Sequence, residues 1–142
     1  MLTTPQRRSL ITIAAVYAVG VAAVVFVPGP VDAGMGYLFG ALRDVVPWAT
    51  QHRVQVAANV LLFIPAGFFL CTMLPSHARH GALPAIIVAA VTVETIQAEL
   101  LPARDGDIHD IIANVTGGSI GVVLAAAISV AQRRRQEKES VS

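Results

Sequence analysis

Four stretches of apolar residues, separated by short polar segments, dominate the chain. They cover residues 10–27, 54–74, 82–100 and 108–131. Each is close to the about 20 residues that an α-helix needs to cross a hydrocarbon core of about 30 Å. The third reaches full length only with Glu94 and Gln97 included, and the fourth carries Asp110 and Asn114 in its first half. The pattern predicts an all-α membrane protein with about four transmembrane helices.

The connection between the first two stretches, residues 28–53, is too long for a simple turn. Apolar side chains recur within it at helical spacing next to Trp48, namely at Tyr37, Leu38, Leu42 and Val45. This pattern predicts a short helix lying in the membrane interface. An irregular loop is the alternative interpretation.

The first stretch also shares features with a cleavable signal peptide, because Arg7 and Arg8 precede it and small residues follow it at 31–33. Its 18 uncharged residues are long for a signal core. The Pro-Gly-Pro sequence at 28–30 would end a helix cleanly. A retained membrane anchor is therefore favoured over cleavage.

The composition supports a chain surrounded by lipid. Hydrophobic residues make up 55% of the sequence and charged residues 13%, and the mean hydropathy is +0.67. The formal net charge of +1 argues against nucleic acid as a partner, since phosphate-binding surfaces need clustered excess Lys and Arg. Cys71 is the only cysteine, which excludes an intramolecular disulfide and a multi-cysteine metal site.

Basic residues are distributed unequally between the two sides of the predicted membrane protein. If the N-terminus is cytoplasmic, that side holds Arg7, Arg8, Arg79, Arg133, Arg134, Arg135 and Lys138, and the other side holds Arg43, Arg53 and Arg104. Positively charged connections stay inside, so the bias predicts a multi-pass plasma-membrane protein with both termini cytoplasmic. The basic tail, residues 132–142, is then a topology anchor, with recognition of anionic lipid as the alternative.

Polar groups at membrane depth are costly, yet they recur here on defined helix faces. Three sets share a face at intervals of three or four: Asp107, Asp110, Asn114, Gly117 and Gly121; Glu94 and Gln97; His52, Gln55 and Asn59. With a rise of about 1.5 Å per residue, Asn59, Glu94 and Asn114 each lie about 10 Å below the outer boundary. Three helices thus bring polar groups to one level.

This coincidence predicts a polar pocket that opens towards the outer leaflet. Its candidate residues are Asn59, Glu94, Gln97, Arg104, Asp107, Asp110 and Asn114. Residues expected to shape helix packing are Pro65, Gly67, Gly117, Gly118 and Gly121. In the alternative interpretation, the polar side chains only tie helices together by hydrogen bonds while the glycines permit close contact.

No metal or other cofactor is predicted. Asp105, Asp107, His109 and Asp110 carry atoms that could bind a divalent cation, but neither their spacing nor their number is diagnostic. No cysteine joins the polar set and no serine lies beside a candidate base, so covalent catalysis has little support.

The sequence resembles the VanZ-like family of small bacterial membrane proteins. The matching motifs are Asn59-x-Leu61-Leu62-Phe63-x-Pro65-x-Gly67-Phe68, Glu94-x-x-Gln97, and Arg104-x-x-Asp107-x-x-Asp110-x-x-x-Asn114-x-x-Gly117. The resemblance implies a plasma-membrane protein of the cell envelope whose founding relative is tied to low-level resistance to the glycopeptide teicoplanin. It implies no reaction and no catalytic residues.

Three functions are therefore weighed. The first is binding of a lipid-linked or cell-wall component in the pocket, with membrane lipids as the surrounding partners. The second is an enzyme in which Glu94 or Asp110 acts as general acid or base on a lipid-linked envelope substrate. The third is a small proton-coupled transporter, which ranks last because the polar groups crowd one half of the membrane. The sequence does not specify an oligomeric state.

Overall fold

The computed structural model describes residues 4–26, 46, 48, 50–100 and 107–141. They form four α-helices and one 3-10 helix, and no strand occurs among them. The elements are α1 (Thr4–Phe26), α2 (Gln51–Met73), the 3-10 helix (Ser76–Gly81), α3 (Ala82–Leu100) and α4 (Ile108–Val141). The predicted all-helical class is confirmed for these residues. The predicted interfacial helix around residues 37–45 lies outside the described residues, as do Arg104 and Asp105.

Within the described parts of the chain, three helices are long and apolar enough to cross a membrane. The spans are His52–Met73, Ser76–Glu99 and Ile108–Ser140. Their lengths of 22, 24 and 33 residues exceed the about 20 that a crossing requires. Together with the apolar composition, this indicates a membrane protein.

The helix ends follow from local chemistry that the apolar runs do not reveal. α2 begins at Gln51, before the apolar run, because the Thr50 hydroxyl accepts a hydrogen bond from the Arg53 amide at 3.3 Å and caps the first turn. α4 continues to Val141, past the predicted end at residue 131. Its last turns are rich in Arg, Gln, Glu and Lys, which are good helix formers, so the predicted basic tail is helical.

α2 and α4 run parallel, and their interface is the most extensive in the protein. Contacts between them advance together along both helices: Gln55 with Asp110, Val60 with Gly117, and Ile64 with Gly121. α3 lies between α2 and α4 in the sequence and runs antiparallel to both. Thus Glu94, late in α3, contacts the start of α4, and Ile86, early in α3, contacts Gly118.

Glycines let the backbones of α2 and α4 approach each other closely. A Cβ added at Gly117 would overlap the carbonyl of Val60, and one at Gly121 would overlap the carbonyl of Ile64. A Cβ at Gly67 would overlap the carbonyl of Gly118. Small residues at such positions allow van der Waals packing that larger side chains would prevent. Gly20 of α1 differs, since nothing lies within 4 Å of an added Cβ there.

One end of the packing, called here the apolar end, is filled by small side chains. Cys71, Ala82 and Ala125 are buried together there, with Phe68, Leu70, Leu74 and Val122 packed against them. Arg79 of the 3-10 helix closes this end by donating from Nη1 to the Ser129 hydroxyl at 3.2 Å. The turn between α2 and α3 is thereby tied to α4.

α1 packs mainly against α2, near a point where the backbone hydrogen bonding of α2 is interrupted. Pro65 lies inside α2 and has no N–H to donate to the preceding turn. The Tyr17 hydroxyl donates a hydrogen bond to the carbonyl of Leu62, close to this break. The Tyr17 and Phe69 rings pack with centroids 5.8 Å apart. Pro65 thus marks the contact between α1 and α2.

Candidate functional site

Four polar side chains are buried where α2 and α4 begin and α3 ends, called here the polar end. Their exposed fractions are 7% for Glu94, 7% for Gln97, 5% for Asp110 and 3% for Asn114. Among the described residues, no other polar or charged side chain is buried to this degree. These four, together with Gln55 and Asp107, are called the polar cluster below.

Asp107 caps the first turn of α4. Its Oδ1 accepts a hydrogen bond from the His109 amide at 2.8 Å and lies 2.7 Å from Nδ1 of the His109 ring. The backbone carbonyl of Asp107 accepts from the Asp110 amide at 2.9 Å, as expected for an N-cap residue. The hydrogen bonds from the His109 amide and then from its ring lower the pKa of Asp107 below its usual range. Asp107 is therefore a carboxylate at neutral pH.

Glu94 joins α3 to the start of α4. Its Oε1 accepts a hydrogen bond from the backbone amide of Asp107 at 2.7 Å. The positive end of the α4 dipole favours negative charge at this point. Gln97 lies one turn further along α3 and is buried on the same face. The face predicted from the i, i+3 spacing thus points into the helix packing.

Gln55 joins α2 to α4 and was not included in the predicted pocket. Its Nε2 donates a hydrogen bond to Asp110 Oδ2 at 2.7 Å. The sequence indicated a role for Gln55 only through its position, four residues before Asn59 and on the helix face that also carries His52. Asn59 itself is half-buried, one turn beyond Gln55. Spacing within α2 identified the face, but it could not show which of these residues meets Asp110.

Two acceptor atoms in the cluster have no donor among the described residues. Asp110 Oδ1 and Asn114 Oδ1 are buried, and neither accepts a hydrogen bond there. They lie four residues apart, on one face of α4. A buried acceptor without a donor costs about 1–3 kcal/mol, so each such atom in a folded protein requires an explanation. Helix packing alone does not supply one.

Two histidines lie beside the cluster on the exposed side. The rings of His52 and His109 meet edge to face with centroids 5.5 Å apart, and both residues are exposed. His109 also contacts Asp107. Asp107 and His109 thus lie at the exposed edge of the polar cluster, while Arg104 and Asp105 lie outside the described residues.

The charged side chains of the polar cluster are carboxylic acids, whose oxygens accept hydrogen bonds. No group of three or more His, Cys, Asp or Glu side chains within the described parts of the chain is arranged to hold a metal ion. Within the described residues, the charged members of the polar cluster are all acidic, namely Glu94, Asp107 and Asp110. A bound group would therefore need to supply hydrogen-bond donors.

A separate apolar groove of about 420 Å³ lies on the other side of α4. Its lining residues are Val115, Thr116, Ser119, Ile120, Val123 and Leu124. None belongs to the polar cluster.

The family model described as VanZ/LLP1 matches residues 14–129. The chain belongs to the VanZ/LLP1 family. The match includes every residue of the polar cluster and most of α1 and α4, and it ends before the charged turns at the end of α4. No curated protein and no solved structure matched the chain. Membership agrees with the resemblance carried by the motifs from Asn59 to Gly117.

Proposed function

We propose that this VanZ/LLP1 protein crosses the bacterial plasma membrane four times and binds a polar or lipid-linked envelope component in its polar cluster. α1, with 23 residues, would supply the fourth crossing. The observation that carries the binding proposal is the pair of buried acceptors, Asp110 Oδ1 and Asn114 Oδ1, which have no donor among the described residues. A ligand that donates to both would recover the cost of burying them.

The distribution of polar groups favours binding over transport. All four buried polar side chains of the described residues lie at the polar end, whereas the apolar end is closed by Cys71, Ala82 and Ala125. A transporter needs polar groups that are reachable from both sides of the membrane. At the apolar end, Arg79 and Ser129 are bonded to each other, and no polar or charged side chain is fully buried among the residues described there.

We further propose that both termini are cytoplasmic and that the polar end faces outwards. The excess of basic residues at the start of α1, in the 3-10 helix and at the end of α4 supports this orientation. Reporter fusions at the C-terminus and in the 3-10 helix should read cytoplasmic, and one after Pro102 should read external. A cytoplasmic signal from the Pro102 fusion would reverse the orientation.

The binding proposal is tested by conservative changes to the two buried carboxylates. Glu94→Gln and Asp110→Asn keep the size and one acceptor oxygen of each side chain, but they replace the other oxygen with an amide donor and remove the ionisable group. If the cluster is a binding site, both should abolish activity while thermal stability in detergent stays close to that of the wild type. If it only ties helices, both should keep activity, because a neutral amide still forms hydrogen bonds.

Activity is measured as complementation in cells lacking the native protein, scored by sensitivity to envelope antibiotics. A glycopeptide of the teicoplanin type is the first to test, because the family resemblance points there. Thr116→Val is the matched control, since Thr116 lies on the same helix but is exposed on the opposite side. Retained activity in both carboxylate variants would show that the carboxylates are structural.

A further inference from the structure

Hydrogen bonds between the helices use some polar groups of the cluster and leave two buried acceptors open among the described residues. Gln55 Nε2 is already bound to Asp110 Oδ2, and the Asp107 amide is already bound to Glu94 Oε1. The acceptors Asp110 Oδ1 and Asn114 Oδ1 stay open within the described structure, and both residues are at least 95% buried. A group that satisfies both acceptors must donate at least two hydrogen bonds.

Charge narrows the choice of ligand further. Asp107 and Asp110 place two carboxyl groups at the start of α4. Arg53, a described cation near this end, is exposed and donates from Nη1 to the Trp48 carbonyl at 3.1 Å, so it is directed elsewhere. A phosphate or carboxylate would bring further negative charge towards buried carboxyl groups, which is strongly unfavourable at low dielectric.

We propose that the polar cluster binds the primary ammonium group of an amine-bearing envelope component, held between Asp110 Oδ1 and Asn114 Oδ1. This inference rests on the proposed binding function and specifies the chemical class of its ligand. An –NH3+ group has three donors and no acceptor, and its charge is opposite to that of the buried carboxylates. A quaternary ammonium has the same charge but no N–H, so the site discriminates against it.

Such an ammonium can come from a lipid headgroup or from a soluble amine. α2, α3 and α4 are long and apolar enough to cross a membrane, and the cluster lies near one end of all three. A phosphatidylethanolamine headgroup therefore reaches the same level as a soluble amine arriving from water. The two sources share one recognition chemistry and are separated by experiment.

The experiment measures the melting temperature of the purified full-length protein in detergent during titration with matched ligands. The lipid arm compares phosphatidylethanolamine with phosphatidylcholine, and the soluble arm compares ethanolamine with choline. Stabilisation by phosphatidylethanolamine alone indicates a lipid ligand, and stabilisation by ethanolamine alone indicates a soluble one. In either case, the methylated partner should have an apparent affinity lower by about tenfold or more.

Variants locate the effect in the cluster. Asp110→Asn should remove the preference for the primary amine, and Thr116→Val should leave it unchanged. Asn114→Leu provides a second variant if Asp110→Asn does not fold, because it removes one acceptor and leaves the carboxylate in place. It should weaken the preference without eliminating it.

The outcomes distinguish a failure of the ammonium proposal from a failure of the proposed binding function on which it rests. Equal stabilisation by primary and quaternary amines, no stabilisation by either, or a preference that survives Asp110→Asn would overturn the ammonium proposal. If Asp110→Asn nevertheless abolishes activity in cells, the pocket stands and its ligand is of another class. If Asp110→Asn keeps both activity and the amine preference, both proposals fall.

Discussion

The apolar end and the polar end belong to the same packing of α2, α3 and α4, yet their interiors differ. At the apolar end, Cys71 is 2% exposed, Ala82 0% and Ala125 1%, and the Arg79–Ser129 hydrogen bond there is only half-buried. At the polar end, carboxylates and amides occupy the equivalent interior positions. The same three helices thus close one end with apolar side chains and the other end with hydrogen-bonding ones.

The comparison shows what each end contributes. The glycine contacts and the small residues bring the helices together, and they do so without hydrogen-bonding groups on their side chains. The polar cluster adds two interhelical hydrogen bonds, Gln55 to Asp110 and Asp107 to Glu94, but also two buried acceptors without described donors. Functional sites commonly retain groups of this kind at the expense of stability.

The largest expected effect concerns the close packing of α2 and α4. Gly121→Val places a branched side chain against the carbonyl of Ile64, and backbone cannot move aside as a flexible side chain can. We expect a loss of about 3 kcal/mol or more, at the upper end of what overpacking costs, measured by unfolding in detergent. Gly20→Val is the control, because its Cβ meets nothing within 4 Å. Equal stability of the two variants would show that the close approach is unimportant.

An intermediate effect of opposite sign is expected at the polar end. Asn114→Leu removes a buried acceptor that has no donor among the described residues and replaces it with an apolar group of the same branching. The variant should be more stable by about 1–3 kcal/mol while losing cellular activity. Thr116→Val should change stability by no more than about 0.5 kcal/mol. Destabilisation by Asn114→Leu would mean that the Asn114 amide supports the fold.

The smallest effect is a pH dependence at the start of α4. Because the pKa of Asp107 is lowered in the folded protein, its capping interaction contributes stability above the usual aspartate pKa, and this contribution is lost as the pH falls through the lowered value. Asp107→Asn keeps a capping side chain that does not titrate. We expect the variant to show a shallower acid decline of the melting temperature, and an unchanged decline would assign it to other groups.

Much of the fold was accessible from the sequence because apolar length is a strong signal in membrane proteins. The runs predicted helices at α2, α3 and α4, and the spacing of Glu94 with Gln97 and of Asp110 with Asn114 predicted which faces share an interior. The helix ends were less accessible. The start of α2 depends on the Thr50 cap, and the end of α4 depends on polar helix formers beyond the apolar run.

The pairing of residues between helices could not be predicted. Periodicity places Gln55 and Asn59 on one face, but the register between α2 and α4 is fixed by the contacts of Gly117 with Val60 and of Gly121 with Ile64. That register brings Gln55 to Asp110. The capping role of Asp107 could not be predicted either. It depends on the residue at which α4 begins, whereas the spacing showed only that Asp107 shares a helix face with Asp110 and Asn114.

The parallel arrangement of α2 and α4 has a consequence for biosynthesis. Gln55 and Asp110 are 55 residues apart in the chain, and the contacts of Gly117 and Gly121 span similar separations. Contacts this distant form only after the intervening chain has been made. α3 therefore emerges from the ribosome before Asp107 has been added to the chain. Until then, Glu94 on α3 lacks the Asp107 amide that donates a hydrogen bond to it in the folded protein. The interface of α2 with α4 is completed last, when the final helix joins the others.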